Sequence, residues 1–374
     1  MKNIAILGST GAVGLDALRV IDALPGRLRV VALSASSNVG LLARQVERYR
    51  PERVSVFEPE GARALKSIVN GRTRHMEPGV EGLCELAASR DVDVVLLALS
   101  GGLGFAPLLT ALKAGKTVAL ADNEPMVMAG ERFAAEADRW GGRIIPIDPV
   151  PSALLECLEA RARRPGAMRG YGKLVRRVVI TVAPAKPART GGRAAVDRAT
   201  LMAKGLEAIA IQGLCGLGAG QIEVVLHPQS VLRSAVEFPD GTVLAQLGAP
   251  GARLPLQHAL TWPERAASPA RPLDLLKVKA LTFAAPDFRR FPCLELALEA
   301  ARAGGSHPAV LNAADAVAVE AFLAGRIRVT DIARVVAATL KRHRGAARLP
   351  SFAEVLETDQ WARAKAEELV EVMD

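Results

Sequence analysis

Aromatic side chains make up only 4% of the 374 residues, too few to build the stacking platforms on which single-stranded nucleic acids are held. Cysteine is almost as scarce. Cys84, Cys157, Cys215 and Cys293 stand far apart, with no CxxC spacing and no cluster with the five histidines, which excludes the usual zinc frameworks. They read as reduced, mostly buried thiols. No apolar run approaches the roughly 20 residues a membrane helix requires; Val92 to Leu99 is among the longest. The chain passes from Met1 and Lys2 straight into a strand-like segment, without the regions of a signal peptide, so a cytoplasmic protein with no membrane partner is expected. A basic block is missing too. The net charge of +9 comes from scattered arginine, which fits small anionic ligands better than nucleic acid, and no nucleic-acid partner is expected.

What remains is a chain that is half hydrophobic and 23% charged, in the range of soluble globular proteins and long enough for more than one domain. Apolar runs at Lys2–Leu7, Arg29–Ala35, Arg53–Phe57, Val92–Leu99, Thr117–Ala121 and Arg143–Ile147 alternate with segments of helical spacing, such as Gly14–Leu24, Gly40–Arg50 and Glu60–Val69. That alternation predicts an α/β fold: a Rossmann-like, doubly wound parallel sheet over residues 1–150. Beyond it, short runs at Val178–Val182, Ile222–Val225, Ser234–Glu237 and Val243–Leu247 are separated by longer irregular stretches, predicting an α+β catalytic-type domain over 151–285. Pro269, Pro272, Pro286 and Pro292 punctuate a connecting region, with 286–308 read as a linker, and a helical domain is expected over 309–374.

The first strand runs into Gly8-Ser9-Thr10-Gly11-Ala12-Val13-Gly14. A backbone that turns tightly, approaches a pyrophosphate and offers free amides at a helix amino terminus needs glycine at such positions, so this loop is the candidate dinucleotide site. After the second strand, an acidic residue would ordinarily bind the ribose hydroxyls of NAD. Ser34-Ala35-Ser36-Ser37-Asn38 has none, and Ser36, Ser37 and Asn38 offer donors to a 2′-phosphate, favouring NADPH.

Several further motifs follow in order: Leu120-Ala121-Asp122-Asn123-Glu124, Pro146-Ile147-Asp148, Val196-Asp197-Arg198-Ala199-Thr200-Leu201-Met202-Ala203-Lys204-Gly205-Leu206-Glu207, Glu223-Val224-Val225-Leu226-His227-Pro228-Gln229-Ser230, Leu244-Ala245-Gln246-Leu247-Gly248, Ala280 to Pro286, and Leu311-Asn312-Ala313-Ala314. With the glycine loop, these resemble the 1-deoxy-D-xylulose 5-phosphate reductoisomerases of the methylerythritol phosphate route to isoprenoids, over most of the chain. The resemblance implies an NADPH domain, a central catalytic domain carrying the dimer contacts, a helical carboxy-terminal domain, and a homodimer. It also implies a divalent cation (Mg²⁺ or Mn²⁺) that chelates the substrate's oxygens while the carbon skeleton rearranges, before NADPH reduces the product aldehyde.

Measured against that pattern, the chain departs at defined positions. The family's three metal-binding carboxylates fall on Asp148, Val150 and Glu207, so only Asp148 and Glu207 remain as metal candidates. Pro149 and Pro151 stand where the family has serine and histidine, and Asn123 stands where it has a lysine beside the nicotinamide, with Glu124 retained. In the phosphate-binding stretch Arg198 replaces a serine and Ala203 an asparagine, whereas Lys204 is kept, making Arg198 and Lys204 the candidate anion site. The segment between Thr181 and Val196 is shorter than the family's mobile lid, and its basic residues are Lys186, Arg189 and Arg193. Asp148, Glu207, Glu124 and Lys204 are therefore the catalytic candidates, Asn123 and Glu124 join the cofactor set, and His227 reads as structural. The sequence predicts a diverged NADPH-dependent oxidoreductase acting on another small anionic hydroxy-carbonyl compound; a true reductoisomerase and a non-catalytic nucleotide-binding protein are the alternatives.

Overall fold

The computed structural model describes residues 1–69, 73–160, 170–183, 192–249, 251–268, 272–345 and 349–373. The chain folds into two compact units. The first comprises residues 1–122, 135–152 and 251–272, and the second 123–134, 153–250 and 273–374. Among the described residues no helix is long and apolar enough to cross a membrane.

In the first unit, β1 (Lys2–Leu7), β2 (Leu28–Ala35), β3 (Arg53–Val56), β4 (Arg74–His75), β5 (Val94–Leu97), β6 (Thr117–Leu120) and β7 (Arg143–Pro146) form one sheet in the order β4-β3-β2-β1-β5-β6-β7. Every pairing is parallel. Parallel strands are covered on both faces, which is why β1, β2 and β5 read as near-continuous apolar runs: Ile4 to Leu7 and Val31 to Leu33 are fully buried. The connecting helices are α1 (Ala12–Asp22), α2 (Val39–Tyr49), α3 (Pro59–Ile68), α4 (Gly79–Ala88), α5 (Phe105–Lys113) and, of α6 (Glu124–Trp140), the part from residue 135 onward. The strand order reverses between β1 and β5, so the carboxy ends of these two strands open the crevice in which doubly wound sheets bind ligands.

Residues 251–272, expected within the central domain, instead complete this first unit. After α7 (Pro149–Glu159), α8 (Gly192–Thr200) and α9 (Met202–Cys215), the chain returns as α10 (Arg253–Thr261). Leu256, Ala259 and Leu260 join Ala119, Ile145 and Ile147 in the core. Lys2 Nζ donates to the Thr261 carbonyl at 3.1 Å, and the Arg143 guanidinium lies 3.7 Å from the centre of the Trp262 ring.

The second unit holds a four-stranded mixed sheet, ordered β11-β10-β8-β9, from β8 (Arg177–Val182), β9 (Ile222–Leu226), β10 (Leu232–Glu237) and β11 (Val243–Leu247). Helices of this unit follow the sheet: a short α11 (Leu275–Val278), then α12 (Pro292–Ala303), α13 (His307–Leu323), α14 (Val329–Arg342) and α15 (Phe352–Met373). The stretch 286–308, expected as a linker, contains α12. Pro292 sits in its first turn, where the missing N–H costs nothing, and Leu294 and Ala297 are fully buried, so the proline marks a helix start.

His227 is structural, as its sequence context suggests. It is fully buried; Nδ1 faces the Thr282 carbonyl at 3.0 Å, and Nε2 accepts the N–H groups of Val231 and Leu232, both at 3.2 Å. That requires the neutral tautomer with its proton on Nδ1. Replacing His227 with leucine strands two buried amides and a carbonyl, and is expected to lower the unfolding free energy by about 2–4 kcal/mol in urea titrations.

Candidate active site

The glycine loop closes over the β1 end through close backbone contacts. Gly8 has φ +91°, and a side chain there would place its Cβ 2.2 Å from the Ala98 carbonyl oxygen. A Cβ on Gly14 would lie 2.4 Å from the Gly8 oxygen and 2.6 Å from the Ser9 Cα. Both positions therefore exclude every other residue. Gly11 precedes α1, whose exposed start at Gly11 and Ala12 and half-buried Thr10 and Val13 give a phosphate a helix amino terminus to approach.

Ser9 plays a different part from the one expected. It is fully buried, its N–H donates to the Ser34 carbonyl at 2.7 Å, and its hydroxyl lies within hydrogen-bond distance of the Ser34 carbonyl and of Gln45 Oε1 at 2.6 Å. Gln45 Nε2 donates back to the Ser9 carbonyl at 2.9 Å. Ser9 thus braces the loop and is not presented to a ligand. Gln45 was missed by the sequence reading; a single glutamine among the apolar positions of α2 was the available signal. Replacing Gln45 with leucine is expected to cost about 1–3 kcal/mol of stability, measured by thermal or urea unfolding, because it strands the buried Ser9 groups.

At the β2 exit, Ser36, Ser37 and Asn38 are exposed. Asn38 Oδ1 caps α2 by accepting the Leu41 N–H at 3.2 Å. The sequence reading looked for an acid only after β2. The fold brings one from elsewhere: the exposed Glu58, at the start of α3, donates its N–H to the Ser36 carbonyl at 3.2 Å. Across the switch point, Asp122 Oδ2 accepts the Gly101 N–H at 3.1 Å, fixing the glycine-rich exit of β5.

Asp148 is half-buried at the end of β7, and its carbonyl accepts the Ser152 N–H at 3.0 Å, opening α7. Pro149 and Pro151 fall in the first helical turn, so they start a helix rather than break one. Val150 is buried and apolar.

In the second unit, Lys204 and Glu207 lie one turn apart on α9 and pair at 2.5 Å, with side chains 7% and 13% exposed. Glu207 is thereby already neutralised by a buried ammonium. Arg198 points from α8 as an exposed residue, whereas Lys204 is buried, so the two are not presented as one anion clamp. Glu124 is turned into the helical layer: Oε1 accepts from Asn312 Nδ2 at 2.9 Å and lies 3.6 Å from Arg363. Asn123 is half-buried and accepts the Val127 N–H at 2.9 Å through its carbonyl.

The described part of the shortened segment contributes Arg193 on α8; Lys186 and Arg189 lie outside the described residues. Arg193 donates to Asn312 Oδ1 at 3.0 Å and to Asp315 Oδ2 at 3.2 Å, and its Nε stands 3.3 Å from Asp197 Oδ2. Asp315 escaped the sequence reading, although a carboxylate in the Ala- and Val-rich, wholly buried centre of α13 was a visible anomaly.

Two family descriptions match the chain: "1-deoxy-D-xylulose 5-phosphate reductoisomerase" over residues 4–130, and "DXP reductoisomerase C-terminal domain" over 247–365. Among curated relatives, the 1-deoxy-D-xylulose 5-phosphate reductoisomerase of Elusimicrobium minutum is 42% identical, covering 99% of this chain and 98% of that protein. The Moorella thermoacetica enzyme of the same name is 43% identical over 98% and 97%. The chain belongs to the 1-deoxy-D-xylulose 5-phosphate reductoisomerase family. Its fold matches the solved Zymomonas mobilis reductoisomerase in complex with NADPH at a TM-score of 0.90, with 35% identity and 99% coverage of both chains. A second reductoisomerase, solved with NADPH, fosmidomycin and magnesium, matches at 0.88, with 34% identity, covering 100% of this chain and 99% of that one. Asp148, Val150, Arg198, Lys204 and Glu207 all lie between the two ranges matched by the family descriptions.

Of the groups in those complexes, the described residues fit NADPH. A dinucleotide suits the loop, where a Cβ on Gly8 or Gly14 would collide with backbone. Where the family has its second metal-binding carboxylate this chain has the buried, apolar Val150, and Glu207 pairs with Lys204. Among the described residues no three His, Cys, Asp or Glu side chains are grouped as a metal site.

Proposed function

We propose that this family member is an NADPH-dependent oxidoreductase that reduces a small anionic hydroxy-carbonyl compound by hydride transfer, without the metal-chelated rearrangement. The observation that carries the reading is the contrast between an intact nucleotide loop, closed so tightly at Gly8 and Gly14 that only glycine fits, and a substrate half in which Lys204 neutralises Glu207 and Val150 replaces a ligand. Hydride transfer needs a bound dinucleotide and a positioned carbonyl. The rearrangement needs, in addition, a Lewis acid on the substrate's oxygens.

When bound, NADPH supplies the hydride. The chain's own contribution is to hold the pyrophosphate at the α1 amino terminus, to receive the 2′-phosphate at Ser36, Ser37 and Asn38, and to attract an anionic substrate with the exposed Arg198 guanidinium. NADPH in the Zymomonas mobilis relative supports this choice of cofactor. The family membership supports a homodimer. So does β11, which among the described residues pairs only with β10 at the edge of its sheet and carries Val243, 57% exposed.

The full-length identity to curated reductoisomerases favours a second reading, in which 1-deoxy-D-xylulose 5-phosphate itself is converted. Following NADPH absorbance with a panel of phosphorylated and carboxylated hydroxy-carbonyl compounds, with and without Mn²⁺, separates the two. Metal-independent oxidation by a panel member supports the first, and Mn²⁺-dependent oxidation confined to deoxyxylulose phosphate supports the second. Saturable NADPH binding with no turnover of any compound defeats both and leaves a non-catalytic nucleotide-binding protein.

A further inference from the structure

We propose that Asp197 and Asp315 hold a single proton between them and, with Arg193, latch α8 onto α13, so that losing this proton as pH rises loosens α8.

The case begins with a count of charges in a dry interior. Arg193 is the only cation reaching the two acids, through 3.3 and 3.2 Å contacts to the Oδ2 atoms of Asp197 and Asp315 among the described residues. Their side chains are 9% and 0% exposed. The Oδ1 atom of each is buried with no hydrogen-bond partner, and both carboxyl groups face the one Arg193 guanidinium. Two buried carboxylates beside one guanidinium leave an uncompensated buried negative charge if both are ionised, whereas one retained proton matches the pair to Arg193 and supplies a donor the buried oxygens lack. Burial, followed by the neighbouring Asp315, pushes Asp197 up to about 8. Burial raises Asp315 as well.

Among the described residues, the other groups around the pair do not supply a second cation. Glu124, at the start of α6, adds negative charge and is held by Asn312 and Arg363. On α9 Lys204 is taken by Glu207, and on α14 Asp331 is matched by Arg328 and Arg334. Cys293 on α12 is pushed up to about 12 by its burial and by Asp315, so it stays a neutral thiol throughout the relevant range. The proton on the pair is thus the one charge adjustment open to the cluster. Arg193 also bonds Asn312 on α13, so the same guanidinium ties the first turn of α8 to α13. Because α8 carries Arg198, the latch sets where that exposed cation emerges.

The sign follows from linkage. Docked α8 keeps a proton that the undocked acids, with ordinary carboxyl affinities, release near pH 4; docking is therefore strongest at low pH and weakens up to about pH 8, where the folded pair also ionises. Hydrogen exchange of the full chain between pH 5 and 9, corrected for intrinsic rates, should show protection of the α8 amides falling about tenfold per pH unit and levelling above about 8. Asp315→Asn keeps the shape and leaves Arg193 one carboxylate, and should remove this slope; Asp197→Asn should do the same. In the unaltered protein at pH 7, the infrared carbonyl band of a protonated carboxyl should be present, and this readout does not depend on either variant folding. A pH-independent α8, an unchanged slope in either folded variant, or the absence of the band overturns the latch.

Discussion

Gly14→Val is expected to raise the Kd for NADPH at least about 100-fold, a loss of about 2.7 kcal/mol of binding free energy. A Cβ at this position would come within 2.4 Å of the Gly8 oxygen and 2.6 Å of the Ser9 Cα, and these are backbone atoms with no rotamer to change. The loop must open to relieve the overlap, which moves the amides of Thr10 to Val13 away from the phosphates and breaks the Ser9 brace to Ser34 and Gln45. Gly40 is the control: nothing lies within 4 Å of a Cβ built there, and Gly40→Ala, in the first turn of α2, should bind NADPH as the unaltered protein does. Fluorescence titration of the reduced nicotinamide measures both. Unchanged affinity in a folded Gly14→Val protein would place the nucleotide elsewhere.

Lys204→Met should be the most destabilising single change in the substrate half. It leaves the Glu207 carboxylate, 13% exposed, without the ammonium now 2.5 Å away, and breaking a buried pair from one side costs about 3–5 kcal/mol. Lys204→Met combined with Glu207→Gln should recover most of that loss, since the carboxylate charge that the ammonium offset is then removed as well. Urea unfolding of the two single variants and the double variant forms the cycle. Additive effects would show that Glu207 has another partner and would remove one reason for denying it to a metal.

The parts of the fold that were legible in the sequence are those in which one local pattern decides the outcome. Strands β1, β2 and β5 are buried on both faces, so their apolar runs have no other use. The strand β4 was illegible: two residues, Arg74 and His75, at the sheet edge and with no apolar pattern. The return of 251–272 to the first unit was also illegible, because an amphipathic helix such as α10 states that it has a buried face but not which sheet covers it. Prolines misled at 286–308, since the sequence alone does not distinguish a proline in a connection from Pro292 in a first helical turn.

The site divides along the same line. Gly8 and Gly14 were legible because their requirement is local steric exclusion. Ser9, Glu124 and Arg193 were assigned to ligand or loop, yet their partners lie 36, 188 and 119 residues away in Gln45, Asn312 and Asn312. Side chains of this kind are allocated by tertiary packing, and their roles cannot be read from spacing.

The most direct test of the reading is NADPH oxidation by the purified protein with 1-deoxy-D-xylulose 5-phosphate, with and without Mn²⁺, alongside an NADPH-binding titration. Saturable NADPH binding with no Mn²⁺-dependent oxidation of that sugar phosphate is the predicted result. Mn²⁺-dependent turnover would contradict it, showing that Asp148 and Glu207 still serve a metal without a third carboxylate at Val150.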